Sequence, residues 1–211
     1  MNTTVFGGVK ITWFGHASLL FEHQEAAVYV DPYVLPPRPR LATLVLHTHS
    51  HSDHCVKAEK IMSTNTVVIG HGCPHAMRPI EIGEKALASG IVVEAVHAYN
   101  LPPKRYHPMG FGAGYVLTFS PQQSPTRIYV AGDTDLIPEM SSIKCGLACL
   151  PIGGTYTMDA TEAARAVAAI KPKIAIPIHY NYLSETKADP EQFKRLSAEF
   201  LPSCDVRILN R

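Results

Sequence analysis

The feature that most restricts this chain is the stretch His47-Thr48-His49-Ser50-His51-Ser52-Asp53-His54. Four of the eleven histidines and one aspartate fall within it. Leu44-Val45-Leu46 ahead of it is an apolar, β-favouring run. Behind it, in Cys55-Val56-Lys57-Ala58-Glu59-Lys60-Ile61-Met62, Val56, Glu59 and Lys60 have helical spacing, which predicts a helix. The cluster therefore falls where a strand passes into a helix, which is where α/β sheets collect ligands. In extended chain alternate side chains share a face, so His49, His51 and Asp53 point one way. His54, at the turn, is aimed differently. One loop thus offers two imidazoles to one metal ion and a carboxylate with an imidazole to a second. Neutral imidazole and carboxylate suit zinc, iron and manganese. Cys55 is the one thiol nearby, so the pattern is not that of a zinc finger.

His49-x-His51-x-Asp53-His54 matches the HxHxDH signature of the metallo-β-lactamase fold. Ile11-Thr12-Trp13-Phe14-Gly15-His16-Ala17 and Val30-Asp31-Pro32 look like that family's opening strands. Ala131-Gly132-Asp133-Thr134-Asp135 looks like its second metal motif, and Pro151-Ile152-Gly153-Gly154 and Pro177-Ile178-His179-Tyr180 like its later ones. Taken together the chain resembles the L-ascorbate-6-phosphate lactonase-like branch of these metal-dependent hydrolases. The resemblance spans nearly the whole chain in the right order. It implies one domain over residues 1–211 with an α/β (α+β) fold, a four-layer αββα sandwich.

Composition bounds the partners. A chain of 211 residues, 46% hydrophobic and 18% charged, has enough apolar sequence for a sizeable core. A formal charge of +1 gives no electrostatic case for nucleic acid. Met1-Asn2-Thr3-Thr4 lacks the start of a signal peptide, and no apolar run reaches the roughly 20 residues of a membrane helix. Five cysteines, an odd number, argue against a disulfide framework, so a cytoplasmic protein is expected. Self-association stays open.

Along the chain, Val9–Phe14, Ser18–Phe21 and Ala26–Val30 read as an antiparallel meander, with a bend at Gly15-His16. Residues 33–40, with several prolines and with Arg38 and Arg40, read as a solvated loop or a stiff rim presenting arginine to an anion. Strands are expected at Thr66–Ile69, Ile91–Val96, Ala113–Phe119, Arg127–Ala131, Ala148–Ile152, Ile174–Ile178 and Val206–Leu209. Asp159-Ala160-Thr161-Glu162 is a capping box opening a helix to Ile170, and Pro190–Phe200 is a second helix. His71-Gly72-Cys73-Pro74-His75 reads as loop rather than a separate metal site, and Cys145 and Cys149 read as core residues.

The long loop 98–114 carries the remaining choices. A first metal ion held by His49 and His51 needs a third imidazole, and both His97 and His107 are available. The family pattern favours His107, ahead of Pro108-Met109-Gly110-Phe111-Gly112. The resemblance then implies His49, His51 and His107 on one ion, Asp53, His54 and His179 on the other, and Asp133 bridging. Asp31 would lie beneath the loop as an acceptor for a ligand imidazole, and Asp135 would serve a turn or cap. His16, Lys104, Arg105, Tyr156 and Asn181 are the candidate substrate-binding residues. The activity implied is a binuclear metal-dependent hydrolase, with Zn2+ or Mn2+ and a hydroxide shared by the two ions. Asp53 would move the proton, and the substrate would be a small anionic ester or lactone. The alternatives are a phosphodiesterase or nuclease of the same fold, or a metal-stabilised binding or regulatory module with little turnover.

Overall fold

Alternation along the opening strands sets the layers. A computed structural model describes residues 2–120 and 122–210; Pro121, in the turn of the expected later hairpin, lies outside the described residues. The first sheet holds β1 (Thr3–Phe6), β2 (Val9–Gly15), β3 (Ser18–His23), β4 (Ala26–Val30), β5 (Leu44–His47), β6 (Val67–Gly70) and β7 (Arg78–Pro79), side by side in chain order. Leu19, Phe21, Val28, Val30, Leu44 and Leu46 turn into the main core, whereas Leu20, Ala27, Tyr29 and Val45 form a cluster on the opposite face. This is the strand period of two.

The second sheet holds β8 (Lys85–Ala88), β9 (Ile91–Ala98), β10 (Gly112–Phe119), β11 (Thr126–Val130), β12 (Leu147–Pro151), β13 (Ile174–Ile178) and β14 (Asp205–Val206), again in chain order. Each sheet begins antiparallel and ends parallel: β4 to β7 run parallel in the first, β11 to β14 in the second. The sheets stack through their inner faces, with the Phe21 and Phe119 rings 6.3 Å apart. Burying each such side chain is worth about 1.5–3 kcal/mol.

Two helices, α1 (Ala160–Ile170) and α2 (Pro190–Phe200), pack against each other beside the second sheet. The Asp159 carboxylate accepts from the Thr161 and Glu162 amides, and Glu162 reaches back to the Asp159 amide, so the expected capping box forms. Ala163, Val167 and Ile170 of α1 are buried together. On the first sheet the outer layer is thin. The helix expected over 55–62 is reduced to one 3-10 turn, Glu59–Ile61, with Ala58, Ile61 and Met62 spread over Leu20, Tyr29 and Val45. So short a segment cannot hold a helix by itself, and its contacts reward a flat course.

Two further expectations are corrected. Cys55 and Cys73 form a disulfide, with Cα atoms 5.7 Å apart. The parallel pairing of β5 and β6 brings the loops after them together, which an odd cysteine count does not show. The closing strand pairs only at Asp205–Val206. Among the described residues no helix is long and apolar enough to cross a membrane.

Candidate metal centre

The parallel strands deliver the polar side chains. Asp31 follows β4, the histidine loop follows β5, Asp133 follows β11, and His179 follows β13. The sheets meet at this edge. The Thr48 carbonyl accepts from the Ala113 amide at 2.9 Å, and the His16 carbonyl from the His179 amide at 2.8 Å. Gly132 has φ +66°, and a Cβ there would stand 2.8 Å from the Ala113 carbonyl oxygen. A side chain at 132 would therefore push Asp133 out of place.

Two donor sets sit side by side. His49 Nε2 lies 3.0 Å from His51 Nδ1, and His107 Nε2 lies 3.2 Å from the same atom. His16, Asp53, His54 and His179 form the second set. Within each set the ligand atoms lie within 4.8 Å of one another, as do those of His49, His54 and Asp133. Asp133 Oδ2 is 3.1 Å from His179, 3.5 Å from His107 and 3.6 Å from His54, all at Nε2. It faces both sets at once.

Electrostatics sharpens the picture. Burial pulls the His54 imidazole down, but Asp133, Asp31 and Asp53 outweigh it and hold it at about 9. Burial pushes the Asp133 carboxyl up, yet His179 and His54 hold it well below the carboxylate range. Burial holds His49 well below the usual imidazole value. The Asp53 carboxyl is also held low, because His16 and His54 outweigh its burial. His54 Nε2, both ring nitrogens of His179 and Asp133 Oδ1 are buried without a hydrogen-bond partner. Buried polar atoms are nearly always satisfied, and imidazole nitrogens and a carboxylate gathered without hydrogen-bond partners fit divalent cations.

Neighbours fix these rings. Asp31, buried, accepts from the Thr48 amide at 2.9 Å, the Thr48 hydroxyl at 2.7 Å and His54 Nδ1 at 2.7 Å. This turns Nε2 of His54 outward, toward Asp53 and Asp133. Asn100 Oδ1 accepts from the His107 amide and from His107 Nδ1, while Asn100 Nδ2 donates to the Tyr156 carbonyl. The sequence reading missed Asn100 because nothing local marks an asparagine beside Leu101-Pro102 as the partner of a histidine further along. His47 is buried, with Nδ1 on the His54 carbonyl, and stays outside both sets. His97 lines a separate hollow with Met140 and Ile143, so of the two imidazoles weighed it is His107 that joins His49 and His51. His71 bonds the Ile80 and Gly110 carbonyls and is loop structure.

A cavity of about 320 Å³ opens over the cluster, lined by His51, Asp53, His107, Asp133 and His179 with Tyr106, Tyr156 and Leu183. Of the candidate substrate-binding residues, Tyr156 lines it. The others are placed elsewhere. His16 is fully buried and gives its Nε2 to Asp53 Oδ2 at 2.9 Å, so it holds Asp53 rather than meeting substrate. Lys104 Nζ bonds Asp135 Oδ1 at 2.9 Å and the Thr157 carbonyl at 2.6 Å, with Glu162 at 3.5 Å. It ties the loop to the start of α1. Asp135 also accepts from the Leu101 amide, so it holds the long loop rather than serving the local turn or cap expected of it. Asn181 is engaged by both backbone groups of Ala188. Arg105 is exposed and outside the lining. Arg40 turns to Glu22 and the Glu25 carbonyl, so the proline-rich loop presents no Arg40 to the cavity.

Comparison with known proteins agrees with this geometry. Residues 10–179 match the family model of the β-lactamase superfamily domain. A UPF0173 metal-dependent hydrolase of Thermoplasma acidophilum is 37% identical over 210 residues, covering 90% of this chain and 91% of that one. The chain belongs to this family. A crystal structure of a metal-dependent hydrolase from Parabacteroides distasonis superposes with a TM-score of 0.81 at 31% identity, covering 95% of this chain and 92% of the other. A metallo hydrolase from Ignicoccus hospitalis superposes at 0.75, with 27% identity and coverage of 96% and 95%. The metallo-β-lactamase-like layering expected from sequence is therefore the fold of the chain.

Proposed function

We propose that this chain is a binuclear metal-dependent hydrolase of a small ester or lactone, the chemistry suggested by its lactonase-like sequence motifs. His49, His51 and His107 would hold one ion, Asp53, His54 and His179 the other, with Asp133 between them. The carrying observation is Asp133, buried and facing both donor sets at the floor of a cavity. The nitrogen-rich set favours zinc, with manganese the other candidate. Bound there, the ions would supply Lewis acidity and a water acidified toward neutral pH.

The chain's own side chains do the rest. Asn100 and Asp31 engage Nδ1 of His107 and of His54, so each ring turns its Nε2 toward the other donors, and His54 would ligate there once that nitrogen has lost its proton. Asp53, half-buried at the cavity wall, is steadied by His16 and can take a proton from water and return it to the leaving oxygen. Its low carboxyl pKa makes it a brief carrier rather than a store. The test is metal analysis of the purified protein beside a panel of a simple lactone, an aryl ester and bis-p-nitrophenyl phosphate. Two ions per chain with turnover of the lactone or ester support the reading. One ion or none after reconstitution, or turnover of the phosphodiester alone, overturns it.

A further inference from the structure

The cavity wall away from the metal-binding floor has a character of its own. Tyr106 and Tyr156 meet edge to face there, with ring centroids 4.8 Å apart and planes at 84°, and Leu183 continues the wall. Tyr106 is 48% exposed although it lies beside buried His107. Exposed Leu101 and Met109 belong to the same loop. None of the lining residues is a lysine or arginine. Lys104 is neutralised by Asp135 and Glu162 and held by the Thr157 carbonyl, and Arg105, next to Tyr106 in sequence, is exposed and outside the lining. The adjoining open hollow past Leu183 carries Lys187 and Asp189, one charge of each sign.

We infer that the site selects an uncharged substrate with a flat, apolar body, such as a one-ring aryl ester or lactone, seated against the Tyr106–Tyr156 pair. This inference rests on the hydrolase reading and deepens it. The scissile carbonyl would face the histidine floor, and the rest of the molecule would face tyrosine. A carboxylate or phosphate on that distal part would lose water against aromatic rings with no counter-charge to replace it. A planar ring gains offset or edge contact with each tyrosine. The cavity, about 320 Å³, is at the small end for ligand pockets, which suits one ring and not a nucleic-acid segment.

The experiment uses the full metal-loaded chain with three substrates: phenyl acetate, 4-acetoxybenzoate and ethyl acetate. The carboxylate-bearing ester has the better leaving group, so chemistry alone would favour it. The expected result is a kcat/KM for phenyl acetate at least about tenfold above that for 4-acetoxybenzoate. The Tyr106→Ala, Tyr156→Ala double variant should then lower the ratio of phenyl to ethyl acetate turnover by about tenfold. Tyr106→Leu, at an exposed position, is the variant to use if the double one misfolds, and Tyr106→Phe should restore the ratio. Titration calorimetry of benzohydroxamate against 4-carboxybenzohydroxamate reads the same wall without turnover. Tighter binding of the neutral probe with no hydrolysis of any ester or of the simple lactone would uphold the tyrosine wall and refute the hydrolase reading. Hydrolysis with equal or better use of the carboxylate-bearing ester overturns the inference and spares that reading. So does an unchanged phenyl-to-ethyl ratio in the tyrosine variants.

Discussion

Asp31→Asn is a one-atom change that separates charge and tautomer from shape. Asp31 has φ +44°, a conformation asparagine tolerates better than most residues, so the backbone has no reason to move. Two arrangements of the new amide exist. With its oxygen toward the Thr48 amide, its NH2 meets His54 Nδ1, which must then accept; the ring proton moves to Nε2, the nitrogen that faces Asp53 and Asp133. Flipped, the NH2 confronts the Thr48 N–H and leaves a buried donor unpaired, at about 1–3 kcal/mol. Either way the neutral His54 tautomer that can ligate a metal is penalised. The loss of such a partner typically lowers metal affinity about 10–100-fold, or about 1.4–2.7 kcal/mol. Competition for zinc against a chromophoric chelator measures it directly, with circular dichroism to show that the fold is kept. An Asp31→Asn variant that binds zinc as tightly as the parent would refute the claim that Asp31 sets the His54 ring.

Three other outcomes follow from the same contacts. Lys104→Met should lower stability by about 1–3 kcal/mol, a buried-pair loss discounted for partial exposure, because Asp135 keeps only the Leu101 amide; unchanged denaturant melting with a higher KM for anionic substrates would return Lys104 to the rim. Metal uptake by the metal-free protein should tighten about tenfold per pH unit above 7 and level off near 9, since His54 is a cation below that value and must lose its proton to ligate; an affinity flat with pH would contradict the raised imidazole. Burial pushes the Cys145 and Cys204 thiols up to about 12 and about 11, and Cys149 higher still. Thiol reagent at pH 8 should therefore find no fast-reacting cysteine in the native protein, three after unfolding and five after reduction; a rapid native reaction would show the disulfide open.

What was legible in the sequence is what depends on near neighbours. Ala26–Val30, closed by Asp31-Pro32, and Pro190–Phe200, with its one apolar face, have the bounds expected of them, and Asp159 with Glu162 starts α1 at Ala160. Asp31 was readable as a support because Val30-Asp31-Pro32 resembles a family motif that implies a place beneath the histidine loop, and its bonds to Thr48 and His54 put it there. The misses are partnerships across the fold. Lys104 looks like a substrate cation on a loop until Asp135 and Glu162, 31 and 58 residues away, take it. Asn100 lies 56 residues from Tyr156, and Cys55 reaches its partner only because β5 and β6 pair in parallel. Helical spacing at 56–60 had no means of showing that the same residues would be drawn flat over Leu20 and Tyr29.

The two kinds of residue also divide the labour of the site. Apart from His107, which the long loop supplies, the positions nearest the expected metal ions are short-range products of a strand end, which is why the motif spacing announces them. The positions that set how those side chains are protonated and what may approach them, Asn100, Asp135, Lys104, Tyr106 and Tyr156, belong to the 98–111 loop and to the turns it touches. Lys104 fastens that loop to Asp135 and the Thr157 carbonyl, and Asn100 fastens it to Tyr156 and to His107. The same fastening places Tyr106 against Tyr156. A change at Tyr106 or Tyr156 would therefore reshape the cavity wall while leaving Asn100 and His107 in place, so substrate preference in this fold can vary without any change in the metal-binding motif.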